Sequence, residues 1–250
     1  MKTMKIALCL SGQPRNLEKN IPYLLNGLVE PSSITDIFIH SWFDESSIGT
    51  DFISSQPFQN GSLGSFSKDT VKLLKSLNPK KCAIEKPNNF SEFSHLENLP
   101  TAIQTHIASS LYSAYSCNNL KTQYEKENNF KYDLVIKTRI DCFYQKALNI
   151  TDYLDDDWEN VLHVAKDYQY MRQNEYYPIS NGDKYISLSD TFAYGSSKII
   201  DKYCSIFPEF EKIFHRIRPY QYAECYYGYQ TTYKNKIKIS MQDIKYNLSR

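Results

Sequence analysis

Short apolar runs alternate along this chain with longer stretches whose apolar residues recur every three or four positions. Residues 5–10 form the first run, and turn chemistry at Ser11-Gly12-Gln13-Pro14-Arg15 breaks it. A helix is predicted over 16–28, with Asn16 as its cap and Leu17, Ile21, Leu24, Leu25 and Leu28 on one face. A second buried strand is expected at 36–40, a helix at 68–77 capped by Ser67, and a third strand at 81–85. The longest helical period covers 101–126, where Ile103, Ile107, Leu111, Ala114, Cys117 and Leu120 recur at helical spacing. The run at 132–137 follows it and leads directly into Thr138-Arg139-Ile140-Asp141. Further strands are expected at 161–164, 185–188, 191–194 and 236–240, with helices at 196–207, 208–214 and 219–233. The polar stretches 45–67, 87–100 and 166–183 read as loops, the last as a cover over a site.

Strand–helix alternation of this kind implies an α/β fold of Rossmann type, with a mostly parallel central sheet flanked by helices. A chain of 250 residues fits one such domain, and 41% hydrophobic residues suffice for a packed core. Lys and Arg total 29 against 28 Asp and Glu, so no overall field favours nucleic acid, and an anionic ligand must be held by local basic groups. The 21 tyrosines suit stacking on bases and sugars, but abundant Lys, Asn and Ile beside them point to a compositional bias first. None of the six cysteines has zinc-ligand spacing, and Cys9 and Cys117 read as buried thiols. The apolar run near the N-terminus is shorter than the roughly 7–15 residues of a signal peptide core. No stretch approaches the ~20 apolar residues of a membrane-spanning helix. A soluble, cytoplasmic protein is expected, with peripheral membrane association through a partner or a lipid-linked substrate.

In an open parallel sheet, ligands bind beyond the carboxyl ends of the strands. That rule gathers the candidate residues without further assumption. After the first strand, Gly12 permits close backbone approach, the following helix turns its N–H groups outward, and Arg15 offers a planar fork to phosphate. Neither a P-loop nor a dinucleotide fingerprint is present. After the second strand come His40 and Trp42. At the end of the 132–137 strand, Arg139 and Asp141 project to the same side, with Lys137 nearby. The Asp141 carboxylate can hold a divalent metal that neutralises a leaving diphosphate, or Arg139 and Lys137 can do that work themselves. Asp190, framed by two strand-like runs, suits binding of hydroxyls or removal of a proton from one; Glu224, among tyrosines, is a second such group. Asp155-Asp156-Asp157 reads as a solvated turn.

Three stretches carry a resemblance to a known group: residues 5–15, residues 133–141 and Ser189-Asp190-Thr191-Phe192-Ala193-Tyr194-Gly195. They resemble bacterial polysaccharide glycosyltransferases of GT-A-like fold, of the sort encoded in capsule and lipopolysaccharide gene clusters. The resemblance implies a nucleotide-diphosphate sugar as donor and a glycan or lipid-linked sugar as acceptor. It implies a nucleotide-binding turn at Ser11, Gly12, Gln13 and Arg15 and a diphosphate contact from Arg139; with His40 and Lys137, added from their places near strand ends, these make a nucleotide-binding half over 1–145. In an acceptor-binding half over 146–250, Asp190 falls where the resemblance implies an acceptor- or sugar-binding carboxylate, and Glu224, from its place among tyrosines, is the second candidate catalytic carboxylate. Members with this fold carry Asp-x-Asp after a central strand to bind Mn²⁺ or Mg²⁺. Here Arg139 stands in place of the first Asp and only Asp141 matches a metal ligand. Two other classes stay open at the level of sequence. One transfers a phosphoryl or sulfuryl group from a nucleotide carrier; the other binds carbohydrate without catalysis.

Overall fold

The computed structural model describes residues 3–49, 65–96, 101–154, 157–166, 176–179, 182–217 and 222–248. Its strands are β1 (Ile6–Gly12), β2 (Asp36–Trp42), β3 (Lys81–Glu85), β4 (Leu134–Arg139), β5 (Cys142–Phe143), β6 (Val161–Ala165), β7 (Tyr176–Pro178), β8 (Lys184–Ile186), β9 (Phe192–Gly195), β10 (Lys238–Gln242) and β11 (Asn247–Leu248). Its α-helices are α1 (Leu17–Leu24), α2 (Thr70–Ser76), α3 (Thr101–Glu127), α4 (Ser197–Cys204), α5 (Phe210–Ile217) and α6 (Ala223–Gly228). Seven strands form one sheet in the order β10-β6-β9-β4-β1-β2-β3. Every neighbouring pair is parallel except those of β9, which runs against both β4 and β6. The mixed α/β architecture with a mostly parallel sheet is the one the alternating pattern implies.

Side chains alternate across the sheet, so each strand feeds two cores. Ala7, Cys9, Phe38, Trp42, Val135 and Ala193 pack with α3, α4, α5 and α6 on one face. Ile6, Leu8, Leu10, Ile37, Ile39, Leu134 and Ile136 pack with α1 and α2 on the other. Cys117 in α3 seats its thiol 3.3 Å from the Leu10 carbonyl oxygen and 3.4 Å from that of Phe38, fixing the helix over β1 and β2. A buried polar knot ties α3 to α4. Lys121 Nζ lies 2.7 Å from Asp201 Oδ1 and 3.3 Å from Glu125 Oε2, and Ser197 Oγ donates to Glu125 Oε1 at 2.7 Å. All six cysteines are free, and only Cys82 is exposed. Among the described residues no helix is long and apolar enough to cross a membrane.

Several local expectations change. Asn16 makes no capping bond with its side chain; it sits in the left-handed region at φ 50°, which Asn tolerates, and turns the chain into α1. The expected loop over 166–183 contains β7, which pairs with β8 in a separate antiparallel ribbon, so the run predicted at 185–188 does not enter the main sheet. Residues 167–175, 180 and 181 of that stretch lie outside the described residues, as do 50–64 of the loop expected at 45–67 and both Asp155 and Asp156. The helix expected over 219–233 is α6 followed by a wide turn of π type at Tyr229–Lys234, and residues 218–221 lie outside the description. Tyr226 and Tyr227 are fully buried, so these aromatics build core.

Backbone approaches backbone closely where α6 meets the end of β8. A Cβ on Gly228 would collide with the Ile186 carbonyl, and Ser187 Cα would lie only 2.9 Å away. Gly228→Ala gains about 1 kcal/mol of helix propensity at most, whereas forcing apart packed backbone costs roughly 1–3 kcal/mol. The second effect wins because the obstacle is main chain. A net loss of ~2 kcal/mol is expected in urea unfolding; a midpoint at or above that of the parent chain would show that the contact yields freely.

Candidate active site

The register of the central strands builds the site. Ser11 pairs with Arg139 across β1 and β4, and Gly12 pairs with Ser41 across β1 and β2, so three strand ends open together. Arg139 shares the parity of Val135 and Lys137 and therefore faces the α3 side. Gly12 adopts φ 112°, a conformation that suits glycine, and no atom stands within 4 Å of where its Cβ would be. Beyond it the chain turns back, placing Arg15 at the mouth opposite the end of β4. The Ile140 N–H donates to the Ser11 carbonyl at 3.1 Å, so the two turns are joined beyond the ends of their strands.

Asp141 lies between two arginines. Arg139 Nε donates to Oδ1 at 2.8 Å and its Nη2 to Oδ2 at 2.6 Å, the two-point geometry for which guanidinium is shaped. Arg15 Nη2 approaches Oδ2 at 2.9 Å. The Asp141 side chain is 3% exposed, against 12% for Arg15 and 27% for Arg139. Burial by itself would raise this carboxyl; the charges of Arg139 and Arg15 outweigh it and hold it below the usual aspartate range. Burial together with the Asp141 charge pushes the neighbouring Cys142 thiol up to about 12, so it stays neutral.

Asp190 reaches the same mouth because β9 is reversed. Thr138 pairs with Phe192, so the residues before β9 arrive at the carboxyl end of β4, and the Arg139 N–H donates to the Thr191 carbonyl at 3.2 Å. The Asp190 carboxylate accepts from Ser110 Oγ at 3.2 Å and from Thr191 Oγ1 at 3.1 Å. Its main-chain carbonyl accepts from Lys137 Nζ, and the Tyr203 hydroxyl donates to the Ser189 carbonyl. Lys137 is 2% exposed, and its Nζ stands 5.4 Å from the centre of the Tyr227 ring, which stacks on Tyr203 at 4.5 Å. Burial draws the Lys137 ammonium below the ordinary lysine range, with the Asp190 charge opposing. Lys137 is therefore a prop beneath the Ser189-Asp190 turn, where the sequence placed it in direct contact with a ligand.

The remaining candidates divide. Ser11 is buried at 3% and serves through its backbone; Gln13 is half-buried at the turn. His40 does not line the mouth. It is fully buried under α3, with Nδ1 2.9 Å from Ser113 Oγ and its ring edge-on to Trp42 at 5.0 Å. Burial lowers its pKa, with Glu85, 3.3 Å from Nε2, pulling the other way. Glu224 stands half-buried in the first turn of α6, and its carbonyl accepts from Leu188 N–H at 3.1 Å. Burial first, and then neighbouring charges that include Asp190 and Glu224, raise the Tyr203 and Tyr227 hydroxyls well above the usual tyrosine range. Sequence reasoning missed Ser110 and Tyr203. The only available signal for Ser110 was a hydroxyl next to the apolar stripe of α3.

Breaking a buried ion pair by removing one partner costs several kcal/mol, because the other charges stay behind. Asp141→Asn is expected to lower stability by ~3 kcal/mol at neutral pH. The folded carboxyl titrates below the unfolded one, so its contribution is complete above the unfolded value near 4 and fades as pH falls through the lower folded value. Denaturant titrations from pH 7 to below about pH 4 should show a smaller acid loss in the variant than in the parent chain. Equal acid slopes would mean that Asp141 is not held as a charged partner.

The first three strands, α3, the Arg139–Asp141 turn and β6 all fall within a stretch, residues 1–175, that matches a family model described as a domain of unknown function (DUF7796). Asp190 and Glu224 lie beyond it. No curated protein matches the chain. Since the match covers well over half of the 250 residues, the chain belongs to the DUF7796 family.

Proposed function

We propose that this protein is a glycosyltransferase that moves a sugar from a nucleotide-diphosphate sugar to a hydroxyl of a glycan or lipid-linked acceptor, in cell-surface polysaccharide synthesis. The observation that carries this reading is the meeting of Arg15 and Arg139 at the joined ends of β1 and β4, with the Asp190 carboxylate delivered to the same ends by β9. The sheet, parallel but for one strand and flanked by helices, is compatible with the GT-A-like architecture that the sequence resemblance implies.

The chemistry follows from placement. Charge builds on the leaving diphosphate as the anomeric C–O bond breaks. Fixed guanidiniums aimed at that charge stabilise the transition state more than the ground state. Asp190, oriented by Ser110 and Thr191, takes the proton of the attacking acceptor hydroxyl. Glu224 is the second candidate for that role or for holding acceptor hydroxyls. The Tyr203–Tyr227 pair supplies a buried floor that keeps the Asp190 turn from moving during the reaction.

Removing a general base costs about 10²–10⁴ in rate. Asp190→Ala is therefore expected to cut sugar transfer at least about a hundredfold while the chain still binds donor, and Asp141→Ala should weaken donor binding as well. A thermal-shift screen of nucleotide-diphosphate sugars identifies the donor to assay. Full transfer by both folded variants would remove the assigned roles. Stabilisation by a nucleoside triphosphate or a phosphosulfate donor, with none by any nucleotide sugar, would replace glycosyl transfer by phosphoryl or sulfuryl transfer. Glycan binding without nucleotide binding would make the chain a carbohydrate-binding module.

A further inference from the structure

We propose that Asp141 is the pivot of a two-arginine fork which binds the diphosphate directly, with no divalent cation between protein and ligand. The inference rests on the nucleotide-sugar reading above and makes it more specific: the group recognised is a pyrophosphate, and its charge is met by Arg15 and Arg139.

Exposure ranks the groups in the order a fork needs. A metal-binding carboxylate must present its oxygens to the ligand, yet the Asp141 side chain is 3% exposed while Arg139 is 27% exposed above it. Both Asp141 oxygens are already engaged. Oδ1 accepts from Arg139 Nε, and Oδ2 lies within reach of both Arg139 Nη2 and Arg15 Nη2. A carboxylate has about four lone-pair positions, and three are directed at guanidinium nitrogens. Mg²⁺ demands near-octahedral oxygen ligation and is usually held by one or two carboxylates. The second carboxylate position two residues earlier is Arg139 itself.

Charge points the same way. Around Asp141 itself two guanidiniums face one carboxylate, with the Asp190 charge also reaching Arg139, so a dication seated on Asp141 would have to displace a guanidinium already bonded there. Arg139 spends its Nε and Nη2 on Asp141, and Nη1 donates to no group among the described residues. The guanidinium is thus locked in orientation by one edge and presents the other. Locking matters, because a preorganised fork loses less freedom on binding its anion than a mobile side chain would. Asp141 acts as a positioning residue for the two arginines.

Isothermal titration calorimetry of the full chain tests the fork, with inorganic pyrophosphate and a set of nucleoside diphosphates as probes, each in EDTA and in Mn²⁺. Binding in EDTA should be as tight as in Mn²⁺, to within about twofold. Arg139→Gln and Arg15→Gln should each weaken it at least about tenfold, and Arg139→Lys should recover only part of the loss, because a point charge does not replace a fork. Circular dichroism identifies which variants fold, and a folded Arg15→Gln keeps the test alive if Arg139→Gln does not fold. Binding that disappears in EDTA and returns with Mn²⁺ overturns the proposal, as does unchanged binding in a folded arginine variant. Metal-free pyrophosphate binding without turnover of any nucleotide sugar keeps the fork and removes glycosyl transfer. Sugar transfer that requires Mn²⁺ keeps glycosyl transfer and removes the fork.

Discussion

One buried carboxylate holds two arginines from different parts of the chain, and the rest of the site depends on that contact. Charge removed from water must be paired, or it unfolds the structure around it. Asp141 can satisfy Arg139 from two residues away, but Arg15 reaches it only if β1 lies beside β4. The parallel register that sets Ser11 against Arg139 is therefore both a fold feature and a requirement of the ion cluster. The bond from Ile140 N–H to the Ser11 carbonyl extends the same pairing past the strand ends. Hydrophobic burial on both sheet faces drives the assembly, and the arginines fix which turns meet.

The reversed strand supplies what a wholly parallel sheet could not. A parallel neighbour of β4 would bring its carboxyl end to the mouth. β9 instead brings the residues that precede it, and so Asp190. A carboxylate on a connecting turn needs support to stay in place. Lys137 and Tyr203 hold the Asp190 and Ser189 carbonyls from below, while Ser110 holds the carboxylate from α3. The backbone contact at Gly228 presses α6 against the approach to that turn. Positively charged groups thus gather on the β1–β4 side and a supported carboxylate on the β9 side, the arrangement on which the proposed function rests.

Much of this was legible in the sequence, for reasons that can be named. The apolar runs at β1, β2 and β4 are bounded by turn residues, so their existence and type were clear, and β3, with less apolar pattern to show it, matches its expected limits. Arg15, Arg139 and Asp141 could be singled out because they stand at or just beyond strand ends; their meeting in one buried ion cluster is what the fold adds. The errors have equally local causes. Asn16 turns the chain through backbone geometry where a side-chain cap was expected, and propensity does not separate the two. His40 and Lys137 were expected at a ligand site from their place near strand ends, but α3 covers the first and the β9 turn covers the second. Which helix lies over a strand end is a tertiary fact. The run expected at 185–188 overlaps β8, but its partner β7 was missed because a tyrosine-rich polar stretch carries no alternation by which to read it. That Asp141 points between two arginines could not be read from Arg-x-Asp spacing alone, since the second arginine lies more than a hundred residues away.

A structure of the chain with a bound nucleoside diphosphate would test the account most directly. The diphosphate oxygens should lie within hydrogen-bond distance of both Arg15 and Arg139, with the sugar side of the ligand turned toward Asp190. A diphosphate seated elsewhere would contradict it, for instance in the lysine-lined hollow formed by Lys131, Lys198 and Lys202 at the start of α4.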